Sequence, residues 1–250
     1  MSVSPVRDVI AHPEWHPPST VLARELAARL HLRPVDVPWL GPGVDAALGV
    51  APVAVRAYRA PTTPVVVLTR AAAARGRRRP GVSIVCGLQD DDDAACVAIA
   101  DALAGGLGLP LILVHVVPSV ALAPLALAAS SGMPAPITGR TVHDRAAARE
   151  TVDRVACAAG VARPDTAGIR LTRGTPGPTL AATAKREGAA LVVVSTSTRH
   201  RLQRALLGSA TCYLLRRCER PVVVCPREPT AAMRLRAAIT PLADPRTRPR

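Results

Sequence analysis

Between residues 81 and 226, short apolar runs alternate with helical patterns, and this alternation constrains the fold more than any other feature of the 250-residue chain. The runs VSIVC (82–86), LILVHVV (111–117), LVVV (191–194) and PVVVC (221–225) are compact and nearly free of polar residues. A further run at 169–172 alternates in character. Helices are predicted over 90–104, 141–159, 178–187 and 208–217. The first is expected to stop at Gly105-Gly106, and the second to be capped by Thr141 with Asp144. Val142, Ala146, Val152, Val155 and Ala159 fall near helical spacing in that second helix. Strands without a polar face belong in a parallel sheet covered on both sides. Right-handed crossovers then give a doubly wound five-stranded parallel sheet, with its ligand site at the carboxyl ends of the strands.

The first 68 residues read as a smaller, degenerate α/β half. Strands are expected at 6–11, 34–37, 53–58 and 64–68, and a helix at 19–30 with Val21, Leu22, Leu26 and Leu30 on one side. The segment PVVV at 64–67 echoes PVVV at 221–224, which suggests an internal repeat with a shortened first copy. The expected organisation is therefore a short half (1–68), an Arg/Ala linker (69–80), a complete domain (81–226) and a Pro/Arg-rich tail (227–250) that frays.

Composition narrows the function. Apolar residues make up 49% of the chain, enough for a packed core. Aromatics are 2% and Phe is absent, which argues against a base-stacking platform for single-stranded nucleic acid. The formal charge is +14, yet Lys185 is the only lysine. So strong a bias to arginine, with Ala and Pro also enriched, reads partly as coding bias. No helix-turn-helix or similar motif accompanies the basic segments 75–79 and 246–250, so nucleic acid is the last-placed partner. The six cysteines (86, 96, 157, 212, 218, 225) form no CxxC pair and read as buried, reduced thiols of a cytoplasmic protein. The residues after Met1 lack the apolar stretch of a signal peptide. The apolar segment 109–130 is long enough to span a membrane, but Pro110, Pro118 and Pro124 interrupt it.

From Val82 to Arg227 the chain resembles the universal stress protein family. SIVCG (83–87) looks like the opening strand, which in the family commonly ends Val-Asp-Gly-Ser. LVHVV (113–117) is similar to the second strand, and Gly174-Thr175-Pro176 to the Gly-x-Pro turn. Residues 192–209 followed by RPVVV (220–224) look like the phosphate loop, its helix and the closing strand. The resemblance implies an adenine nucleotide alpha hydrolase-like fold, and pairing of closing strands between copies. Here residues 65–67 are expected to pair antiparallel with Val222, Val223 and Val224, within one chain or across a homodimer.

In ATP-binding members the loop reads G-x2-G-x9-G-S/T. Glycines let backbone N–H groups approach phosphate, and the final Gly-Ser opens a helix whose free amides favour an anion. In this chain Ser195 and Thr198 stand at the first two glycine positions, and only Gly208 and Ser209 remain. Cys86 stands where the family commonly has an aspartate. Thr198 is β-branched and disfavours positive φ. Arg199, Arg201 and Arg204 crowd the same loop and can still attract an anion. The cofactor-binding candidates are Val116, Ser195, Thr198, Gly208 and Ser209. No cofactor is certain, and ATP is expected to bind weakly.

The remaining candidates have plainer readings. Asp90 to Asp93 are explained by the dipole at a helix start, and no metal is expected. His115 lies inside an apolar strand and reads as a satisfied core histidine; Thr211, Cys212 and Tyr213 read as packing residues. No catalytic residue is named. The first reading is a stress-response protein acting by ligand or partner binding, with an unknown protein partner. The alternative is an ATP-binding protein with slow hydrolysis, and the third is a basic nucleic-acid-associated protein.

Overall fold

The structure is a computed structural model, and it describes residues 8–11, 17–36, 48–52, 63–75, 81–117, 137–161, 168–195 and 210–239. The first half contains β1 (Asp8–Ala11), α1 (Pro17–Leu30), β2 (Arg33–Asp36), β3 (Leu48–Pro52), β4 (Val65–Leu68) and α2 (Arg70–Arg75). The second half contains β5 (Ser83–Leu88), a 3-10 turn (Asp91–Asp93), α3 (Ala94–Leu107), β6 (Leu111–Val117), α4 (Ile137–Ala158) and β7 (Gly168–Arg173). It continues with α5 (Pro176–Arg186), β8 (Ala189–Ser195), α6 (Ala210–Arg217), β9 (Val222–Cys225) and α7 (Pro229–Ile239).

All nine strands join one sheet in the order β2-β1-β3-β4-β9-β8-β5-β6-β7. Every neighbouring pair is parallel except β4 and β9. At that seam Val65 lies opposite Val224, Val66 opposite Val223 and Val67 opposite Val222. The expected antiparallel pairing of the two PVVV segments therefore occurs within one chain. Reading outward from the seam, the strands run β4, β3, β1, β2 on one side and β9, β8, β5, β6, β7 on the other. The five strands of the second half form the parallel sheet expected from the sequence.

Alternate residues of each strand serve opposite faces. Ile84, Cys86, Leu113, Val193, Val223 and Cys225 join one apolar cluster with residues of α1, α3, α4 and α7. Val85, Val114, Val192, Val194, Val222 and Val224 join a second cluster with Leu180 and Ala184 of α5 and Leu214 of α6. Helices on both faces explain why the central strands have no polar side.

Several sequence expectations need correction. The helix does not stop at Gly105-Gly106; it runs to Leu107 and is capped by Gly108 at φ 64°. Gly106 instead permits close packing, since a Cβ there would lie 2.5 Å from Ile239 Cγ2 and 2.8 Å from Leu30 Cδ2. Thr141 is no cap, because α4 begins at Ile137. The supposed linker contains α2. Thr69 is fully buried, its Oγ1 accepts the Ala72 N–H at 3.0 Å, and it donates to the Cys218 carbonyl at 2.5 Å. The tail does not fray through 229–239: α7 buries Ala231, Ala232, Leu235, Ala238 and Ile239. The strand expected at 53–58 lies outside the described residues, whereas 48–52 forms β3. Among the described residues no helix is long and apolar enough to cross a membrane, and residues 118–130 of the apolar segment lie outside them.

Candidate functional site

The carboxyl ends of β5, β8 and β9 meet beside the start of α3. Ser195 ends β8 and sits opposite Cys225 of β9. Its Oγ donates to Asp93 Oδ1 at 2.5 Å. Asp93 is 1% exposed, and its Oδ2 accepts the N–H groups of Gln89 at 2.6 Å and Asp90 at 3.3 Å. Asp90 in turn accepts the Asp92 N–H, so the aspartate run makes a capping box around the 3-10 turn. The dipole reading of this run is incomplete, because Asp93 turns into the protein.

Arg227 follows β9 and answers these carboxylates. Its guanidinium lies 3.0 Å from Asp92, 3.5 Å from Asp90 and 3.5 Å from Asp93. Its side chain is 14% exposed, which makes the pairing with buried Asp93 stronger than an ordinary surface ion pair. Thr211, at the start of α6, donates to the Ser195 carbonyl at 3.3 Å, so it holds the end of β8 as well as packing.

Three thiols lie on the same face. Cys86 of β5, Cys96 of α3 and Cys225 of β9 are fully buried, and the Cys86 and Cys96 sulfurs are 3.9 Å apart. Hydrogen bonding to Cys96, together with burial, pushes the Cys86 thiol up, while burial pushes the Cys225 thiol up. Cys96 is shifted down by hydrogen bonds from Cys225 and Cys86.

His115 is less settled than a satisfied core histidine. Its Nδ1 is buried without a hydrogen-bond partner among the described residues, as are Thr172 Oγ1 and Arg227 Nε. Of the sequence-named site residues, Val116 and Ser195 are described. Val116 packs with the second apolar cluster, on the face opposite Ser195, so these two side chains are not brought together. Thr198, Gly208 and Ser209 lie outside the described residues. The sequence reading gave Arg227 and Cys96 no role at the site and took Asp93 only as one of four charges at a helix start. An arginine two residues after the closing strand, in a chain with four successive aspartates after the opening one, was the available signal.

The model of the universal stress protein family matches residues 83–226, more than half of the chain. The chain belongs to the universal stress protein family. Solved structures agree on the fold over nearly the whole length. A putative universal stress protein from Pseudomonas aeruginosa UCBPP-PA14 is 17% identical, with a TM-score of 0.52, covering 93% of this chain and 86% of that one. A functionally unknown protein from Pseudomonas aeruginosa PAO1 is 17% identical, with a TM-score of 0.51, covering 93% and 85%. No curated protein matches the sequence.

Proposed function

We propose that this universal stress protein works in the cytoplasm as a binding protein of the stress response, with ATP held weakly at a degraded phosphate site. The observation that carries this reading is the Asp93 carboxylate hydrogen-bonded to Ser195. Ser195 stands at the first glycine position of the phosphate loop. In an ATP-binding relative that position brings bare backbone towards phosphate; here it carries a hydroxyl already committed to an anion. A phosphate approaching it meets a buried negative charge, and Arg227 is already engaged with three carboxylates. Cys86, at the commonly acidic position, is buried against Cys96 and offers no carboxylate to a nucleotide. The described part of the site therefore does not fit a triphosphate well, and no hydrolytic step is assigned.

The first half is read as a structural cap, a shortened second copy making a pseudo-dimer of unequal halves. Support comes from the mirrored strand order about the β4–β9 seam, in which the first half has no described counterpart of β7. The test of the ligand reading is calorimetric titration with ATP and magnesium. The wild-type protein is expected to bind more weakly than the low micromolar range, and Ser195→Gly with Thr198→Gly to tighten binding about tenfold or more, equivalent to about 1.4 kcal/mol. Low micromolar binding by the wild type overturns the reading.

A further inference from the structure

The core holds a convergence of thiols that ligand binding does not use. Cys86, Cys96 and Cys225 come from an opening strand, the following helix and the closing strand, and each is fully buried. Cys86 and Cys96 already touch, with sulfurs 3.9 Å apart, the separation of two thiols in van der Waals contact. A disulfide needs about 2.05 Å, so the sulfurs must approach by nearly 2 Å. Cys225 is in register with Ser195, which is partly exposed at the end of its strand.

We infer that Cys86 and Cys96 form an oxidation site that a small hydroperoxide converts to a disulfide. Cys96 is the attacking thiol. Two neighbouring S–H groups can donate to its sulfur, which outweighs its burial and the nearby Asp93 charge. Its sulfur attacks the peroxide O–O bond. An S–O bond forms and the O–O bond breaks; the departing oxygen takes the proton that the Cys96 thiol gives up and leaves as water from hydrogen peroxide, or as an alcohol from an alkyl hydroperoxide. The Cys86 sulfur then attacks the sulfenic sulfur. The S–S bond forms, the S–O bond breaks, and the hydroxyl leaves as water with the Cys86 proton. Two thiols lose two electrons and the hydroperoxide gains them.

Oxidation has a direct route to the site above. Cys96 is three residues after Asp93, on the same side of the first turn of α3. Drawing Cys96 towards β5 shifts Asp93 relative to Ser195 and Arg227, which hold it from β8 and from the second residue after β9. The proposal itself does not rest on any nucleotide binding there.

The experiment uses the full-length, reduced protein. The exposed thiols Cys157 and Cys212 are first blocked with N-ethylmaleimide in the folded state. The protein is then treated with hydrogen peroxide, unfolded, alkylated with iodoacetamide and cleaved before aspartate, which separates Cys86 from Cys96 at Asp90. The expected result is a linked pair of peptides carrying Cys86 and Cys96, lighter than their sum by two hydrogen atoms, with Cys218 and Cys225 alkylated. Recovery of Cys86 and Cys96 as alkylated monomers overturns the proposal, as does linkage of Cys96 to Cys225. In Cys86→Ser protein that retains a cooperative thermal transition, the linked pair is expected to vanish.

Discussion

His115 illustrates how much a single residue's environment decides. Burial disfavours its imidazolium and lowers its pKa below 6.5, against a hydrogen bond with the Leu88 backbone and the charge of Asp93, which both raise it. The unfolded chain therefore takes up the proton more readily than the folded one. The stability due to neutral His115 is fully present above the unfolded pKa and is lost as pH falls through about 6.5 towards the folded value. The urea midpoint is expected to drop between about pH 7.5 and about pH 5.5, and His115→Gln should flatten that drop. An unchanged pH profile in the variant would remove His115 as a source of the drop. The sequence placed His115 in an apolar strand, but strand position does not reveal that Nδ1 lacks a partner. Asp93 was equally illegible. Its three neighbouring aspartates make it look like one more charge at a helix start, and only the closeness of β8 shows that it faces Ser195.

At the scale of elements, α7 gives the clearest departure from the sequence pattern. Its Pro and Arg content reads as tail, yet Leu235 is fully buried and Ala231, Ala232 and Ala238 lie within the first apolar cluster. Arg236 ties α7 down, donating to Asp101 of α3 at 3.0 Å and to the Ala159 carbonyl after α4 at 2.9 Å. Gly106 is the complementary feature on α3, leaving room for Ile239 and Leu30. Leu235→Ala is expected to destabilise the fold by about 2–4 kcal/mol, the usual cost of emptying a buried leucine site. Met233, two residues earlier, is 69% exposed, so Met233→Ala should stay within about 0.5 kcal/mol of the wild type. Denaturant unfolding of both variants checks the pair, and equal effects would show that α7 does not pack as described.

For the whole molecule, the β4–β9 seam decides the architecture. Without β4, the apolar strand β9 would form an open edge with unpaired N–H and C=O groups, a template for another chain. Deleting residues 1–68 is expected to expose that edge and to increase self-association over that of the full chain, measured by sedimentation velocity. A truncated protein that stays monomeric and soluble would show that the first half is not needed to cover β9.

The sequence by itself determined the second half: continuous Val-rich strands separated by helical patterns leave few alternatives to a parallel sheet covered on both faces. Together with the family resemblance, the two copies of PVVV pointed to the antiparallel seam, but whether it forms within one chain or between two was left to the tertiary structure. Tertiary structure decided what local pattern could not express. Gly105-Gly106 looks like a stop, but helix propensity is a weak preference and the close approach of α1 and α7 favours continuing the helix to Gly108. Thr69 looks like the start of a linker until Cys218, far away in sequence, supplies a carbonyl for its hydroxyl. The meeting of Asp93, Ser195, Arg227 and the three thiols depends on strand order. Residues separated by more than a hundred positions become neighbours only because β5, β8 and β9 lie side by side.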